Sequence, residues 1–122
     1  MSNETFFFDT YAFFEIIRGN PLYVKYISCE GMTTIINLAE LNYNLKKEKD
    51  KKTADTITEK YKEYCVSITI NDVKEAMDMK IQNKKLSIPD VLGYVIAKRY
   101  DVKFLTGDEG FRNMDNVEFV KS

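Results

Sequence analysis

Histidine is absent from the chain, and that absence removes several kinds of chemistry at once. Serine–histidine and cysteine–histidine hydrolases need an imidazole to carry the proton. The usual structural zinc sites need imidazole or clustered thiols. Cysteine is scarce: Cys29 and Cys65 stand far apart and form no CxxC pair. Two unpaired thiols fit a reducing cytoplasm. Cys65 heads the run Cys65-Val66-Ser67-Ile68-Thr69 and reads as a small core residue rather than a nucleophile. No apolar run approaches the roughly 20 residues that span a bilayer. The first residues lack the basic start and apolar middle of a secretory signal. The expectation is a cytoplasmic protein without a membrane contact. An excess of one charge is missing too: 30% of residues are charged, yet the net charge is −1. No general field draws such a chain to nucleic acid, so any such binding must come from a local patch or a bound metal.

What is present is enough for one core. A chain of 122 residues with 44% hydrophobic content fits a single domain over residues 1–122. Residues 5–8 form an apolar run ending at Asp9 and read as a strand buried on both faces. Residues 11–17 suggest a helix stopped by Gly19-Asn20-Pro21, with a short helix over 22–27. Thr33 or Thr34 can cap a helix running to about Lys47. Ala54, Ile57, Tyr61 and Tyr64 recur at helical spacing. Residues 66–70 are rich in β-branched side chains and predict a second strand. Asp72 and Glu75 have the spacing of a capping box for the helix that follows. Ser87-Ile88-Pro89-Asp90 opens another helix, residues 102–106 read as a third strand, and residues 117–120 suit an edge strand. Strands alternating with helices predict an α/β fold, a three-layer α/β/α sandwich with a mainly parallel sheet.

Three acids stand out by their surroundings, and a fourth by its place after a strand. Asp9 is the only charge in residues 5–14, Glu40 in residues 33–45, and Asp90 in residues 88–97. Each is drawn toward the core by apolar neighbours, and an unpaired buried carboxylate costs several kcal/mol. With no lysine or arginine in these windows, a shared cation is one solution, and magnesium or manganese prefers such hard oxygen ligands. Asp108 follows the third expected strand, and sites in open α/β sheets form beyond the carboxyl ends of strands. Each acid also has a plain alternative. Asp90 can be a capping acid at the third position of its helix, Asp9 a strand-end residue capping the next helix, and Asp108 a turn residue. Glu40, in mid-helix among leucines and isoleucines, has the weakest of these alternatives.

The ordered set Phe8-Asp9-Thr10, Ala39-Glu40-Leu41, Ile88-Pro89-Asp90-Val91 and Thr106-Gly107-Asp108-Glu109-Gly110-Phe111 resembles PIN domains. In size and order it resembles the VapC-type toxins of toxin–antitoxin pairs, over nearly the whole chain. The resemblance implies Mg²⁺ or Mn²⁺ held by Asp9, Glu40, Asp90 and Asp108, and hydrolysis of RNA phosphodiesters. It implies orienting roles for the hydroxyls of Thr10 and Thr106. It also implies a cognate antitoxin and a homodimer, with the early aromatic helix commonly meeting one of these partners. Arg112 is a candidate for touching the phosphate or for a plain surface role. The lysines of residues 46–52 read as a solvated loop, with an RNA-backbone track as the alternative.

Two other Asp-centred folds fit less well. A haloacid dehalogenase-type phosphatase needs an acid at position 11, where Tyr11 stands. A receiver domain needs an early acidic pair and a lysine at the last strand. The remaining rivals are a PIN fold that binds RNA or protein without cutting, and a PIN nuclease of RNA processing that is no toxin.

Overall fold

The structure, a computed structural model, describes residues 4–121. Its elements in order are β1 (Thr5–Phe8), α1 (Thr10–Ile17), α2 (Val24–Ile27), β2 (Glu30–Met32), α3 (Ile35–Glu48), α4 (Lys51–Lys60), α5 (Ile70–Gln82), α6 (Ile88–Arg99), β3 (Lys103–Thr106) and β4 (Val117–Phe119). Single 3-10 turns lie at Pro21–Tyr23, Lys62–Tyr64 and Glu109–Phe111. The strands form one parallel sheet in the order β2-β1-β3-β4. Helices cover both faces, which gives the three-layer α/β/α sandwich expected from the alternation.

The two-residue period of β1 builds both cores. Phe6 and Phe8 face one way and pack with Phe13, Leu38, Leu41, Leu45 and Ala54 of α1, α3 and α4. Phe7 faces the other way, with Phe104 of β3 and with Ala76, Val91 and Ile96 of α5 and α6. Each such side chain, fully buried, contributes about 1.5–3 kcal/mol. Helix α6 lies close on the sheet at Gly93. A Cβ there would stand 2.7 Å from Phe7 Cε1 and 3.0 Å from Phe104 Cε1.

One expected strand is missing. Residues 66–69 have no regular structure, and Ile70 already opens α5. A lone bridge from Thr33 to Cys65 joins this segment to the end of β2. The cap of α5 also shifts from the expected place: Thr69 is the N-cap, and Asp72 is the third helical residue of the capping box. The strand beside β1 is instead β2, in register from Thr5 with Glu30 to Phe7 with Met32. Its glycine is required by packing, because the Tyr64 ring lies where a Cβ of Gly31 would stand. Helix α3 starts at the expected cap, with Thr34 Oγ1 accepting from the Asn37 N–H at 3.2 Å. Among the described residues no helix is long and apolar enough to cross a membrane.

Candidate functional site

The chain leaves β1 toward β2 and later returns to the other side of β1 as β3. A crevice opens at such a reversal, beyond the carboxyl ends of the two strands. Asp9 directly follows β1 and Asp108 follows β3 by two residues. Glu40 projects from α3 and Asp90 from the first turn of α6. The start of α6 is tied to α3 by Asn37 Nδ2, which donates to the Pro89 carbonyl at 3.0 Å. All four acids line one open pocket of about 310 Å³.

Asp9 is the deepest of them, 2% exposed. Although it occupies the N-cap position of α1, its side chain makes no capping bond. Thr106 Oγ1 donates to Asp9 Oδ2 at 2.6 Å, while Asp9 Oδ1 is buried without a partner. Burial, followed by the charges of Asp90 and Glu40, pushes the Asp9 carboxyl well above its ordinary range, against the opposing Thr106 bond. Asp90 closes a capping box: its Oδ2 accepts from the Ser87 N–H at 2.8 Å, and its own N–H donates to Ser87 Oγ at 3.2 Å. Burial raises the Asp90 carboxyl as well; the Ser87 bond opposes this and Glu40 adds to it.

Glu40 accepts from Thr10 Oγ1 at 2.6 Å and from Ser87 Oγ at 3.4 Å. Asp108 accepts from the Gly110 N–H at 2.9 Å, and its own N–H donates to Thr106 Oγ1 at 3.0 Å. Thr10 and Thr106 thus each donate to a carboxylate, and so does Ser87. Each carboxylate is turned to its own local donor. Among the described residues no three of these acids are already drawn together as a cluster that could hold a metal ion. The pocket therefore collects an all-oxygen donor set of the kind hard divalent cations take, but leaves it spread, as like charges prefer.

The structure places the other candidates elsewhere. Arg112 does not line the pocket. Its guanidinium donates twice to Glu109, at 2.7 Å each, and lies over the Phe119 ring. From the lysine-rich segment, Lys46 pairs with Asp55 across the α3–α4 corner, and Lys51 pairs with the same acid within α4. Residues that sequence reasoning passed over do line the pocket: Glu15, Arg18, Asn44 and Ser87. Spacing was the available signal. Asn44 lies one turn beyond Glu40, and Glu15 and Arg18 are three apart on the helix after Asp9.

The PIN domain family matches residues 6–117. The fold is similar to that of a chain in a toxin–antitoxin complex from Klebsiella pneumoniae, with a TM-score of 0.70 and 15% identity, covering 91% of this chain and 93% of that one. It is also similar to a chain in the crystal structure of VapBC2 from Rickettsia felis bound to a DNA fragment from their promoter. There the TM-score is 0.71 and the identity 15%, over 96% of this chain and 98% of that one. At these identities the likeness is one of fold. No curated protein matches the chain.

Proposed function

The chain belongs to the PIN domain family, and from that premise we propose that it is a metal-dependent endoribonuclease, the toxin of a toxin–antitoxin pair. Asp9, Glu40, Asp90 and Asp108 hold Mg²⁺ or Mn²⁺ at the pocket between β1 and β3. The observation that carries this is Asp9, a carboxylate buried with one oxygen unpartnered, beside two more acids and no cation of its own. A buried charge in that state is costly unless something positive joins it.

Such an ion supplies, when bound, a water nucleophile at neutral pH and relief of negative charge at phosphorus. The chain does the positioning. Thr106 fixes one oxygen of Asp9 and leaves the other free for the ion. Thr10 and Ser87 set the Glu40 carboxylate, and the Gly110 N–H sets Asp108. Water adds to phosphorus, the bond to the leaving ribose oxygen breaks, and that oxygen takes up a proton. No histidine is needed at any step.

The antitoxin assignment is supported by the two similar folds, each of which occurs in a toxin–antitoxin complex. This chain also carries an apolar cleft of about 490 Å³ lined by Phe8, Ile16, Ile17, Ile27, Ile57 and Tyr61, among others. A homodimer is supported by exposed Ile35, Ile36 and Ile88, where α3 and α6 begin side by side. Light scattering on the purified protein is expected to give twice the 14.2 kDa chain mass. Two free thiols support a reducing cytoplasm as its compartment.

The deciding experiment is cleavage of single-stranded RNA by pure protein with Mg²⁺ or Mn²⁺, with and without chelator. Activity that survives chelation overturns the metal. Binding without any cleavage leaves a PIN fold that only binds.

A further inference from the structure

We propose that Arg18 holds the backbone phosphate next to the one being cleaved, so that the RNA substrate runs as a single strand along the trough between α1 and α3. This rests on the nuclease function proposed above. Among the described residues Arg18 is the only basic side chain lining the acidic pocket, which is otherwise lined on its charged side by Asp9, Glu15, Glu40, Asp90 and Asp108. A metal ion answers the charge of the scissile phosphate. The flanking phosphates of the same strand would otherwise meet carboxylates and neutral groups such as Asn44, and Arg18 is the positive charge placed to receive them.

Its position fits that task. Glu40, Asn44 and Glu48 recur every four residues and form one stripe on α3. Glu40 and Asn44 line the pocket, and Glu48 receives Arg18 Nη2 at 3.3 Å. The guanidinium therefore lies roughly 6–12 Å beyond Glu40 along the helix, four to eight residues at ~1.5 Å each. Neighbouring phosphates of an extended strand are separated by a similar step.

Arg18 is also weakly engaged in a way that Arg112 and Arg99, which do not line this pocket, are not. Arg112 and Arg99 each grip a carboxylate with two short bonds, at 2.7 and 2.7 Å and at 2.8 and 2.9 Å. Arg18 makes one long contact to each of two acids, 3.3 Å to Glu48 and 3.5 Å to Glu15, and its side chain is 52% exposed. Glu15 is already served by Asn20 Nδ2 at 2.8 Å. The guanidinium lies over the Phe14 ring, 4.9 Å from the centroid, which limits where the fork can point. A phosphate can replace two imperfect partners with one bidentate bond. An exposed pair of this kind contributes little to folding, so variants at Arg18 keep the fold.

The test is fluorescence anisotropy of a labelled single-stranded RNA with Ca²⁺ in place of Mg²⁺, read across a series of KCl concentrations. Arg18→Ala is expected to weaken binding about tenfold. The slope of log affinity against log salt should also fall by about 0.7, the value for one lost phosphate contact on a single strand. Lys62→Ala, remote from the pocket, changes neither. Glu48→Gln, which keeps Arg18 and frees its fork, tightens binding, and does so less when Arg18 is alanine. In Mg²⁺ cleavage Arg18→Ala raises KM with little change in kcat. A methylphosphonate beside the scissile position costs wild type that same factor and costs Arg18→Ala nothing more. If wild type cuts RNA and Arg18→Ala matches it in salt slope and KM, the Arg18 contact is wrong and the nuclease stands. If Arg18→Ala loses the contact but neither protein cuts, the nuclease is wrong and the contact stands. If wild type binds no RNA, both fall.

Discussion

Helices α5 and α6 each start with a hydroxyl cap and an aspartate at the third helical position, Thr69 with Asp72 and Ser87 with Asp90. Both aspartates close a capping box, yet their charges meet opposite fates. Asp72 is 2% exposed and receives Arg99 through two bonds, at 2.8 and 2.9 Å. Burial pushes its carboxyl up, and the Arg99 and Thr69 bonds outweigh this and hold it below the ordinary range. Asp90 has no such cation, and burial together with Glu40 holds its carboxyl up. The same local motif therefore yields an ion-paired acid in one helix and, in the next, an acid with no cation among its charge neighbours. The difference comes from Arg99, at the far end of α6, and from the company of Asp9 and Glu40.

The widest gap between the two acids is expected in catalysis. Asp90→Asn and Asp9→Asn should lower kcat for RNA cleavage on the order of 10²–10³-fold, while Asp72→Asn should cut at close to the wild-type rate in a cool assay. Equal losses at Asp72 and Asp90 would erase the distinction. Stability should split the other way. Arg99→Ala strands a buried Asp72 and is expected to cost about 2 kcal/mol in urea unfolding, less than a fully buried pair because Arg99 is partly exposed. In metal-free protein Asp90→Asn should be neutral or stabilising, because it removes a charge that has no partner.

The pH dependence of metal-free melting separates the acids by sign. Asp9 and Asp90 are raised in the fold, so the native state keeps protons that the unfolded chain releases. Their contribution is present below the ordinary carboxylate range and is lost as pH rises through the raised values. Melts in chelator should therefore be lower near about pH 8 than near about pH 5, and Asp9→Asn should flatten that difference. Asp72 is depressed, so its contribution is present at neutral pH and is lost only as pH falls through its lowered value. The smallest effect is metal stabilisation, about 1.4 kcal/mol at ten times the dissociation constant. Mg²⁺ should raise the melting temperature of wild type and of Asp72→Asn but not of Asp9→Asn.

These contrasts mark what sequence could carry. The run at residues 5–8 declared itself as a strand because its phenylalanines fill both faces, and the run at residues 102–106 was read as one too; both hold strands, Thr5–Phe8 and Lys103–Thr106. Ser87 with Asp90 was legible as a helix start because capping is local chemistry. β2 was not, since Glu30-Gly31-Met32 has neither length nor pattern and is extended only because β1 lies beside it. Residues 66–69 failed in the opposite sense. Their β-branched side chains suit a strand, but they lead into the cap of α5. The convergence of Asp9, Glu40, Asp90 and Asp108 on one pocket lining was inferred from charges without local partners. Arg18 escaped the same logic because its partner Glu48 is thirty positions away.

The pairing of β1 with β3 also has a consequence in time. Phe6 meets Lys103 and Phe8 meets Leu105, nearly a hundred residues apart, and Thr106 reaches back to Asp9. Contacts of such long sequence separation form late in folding. During synthesis, at about 5–20 residues per second, Asp9, Glu40 and Asp90 leave the ribosome before the strand that completes their pocket. With the proposed nuclease site, the chain would be inert until residues 103–111 dock, and a product cut short before Lys103 would carry only three of the four acids.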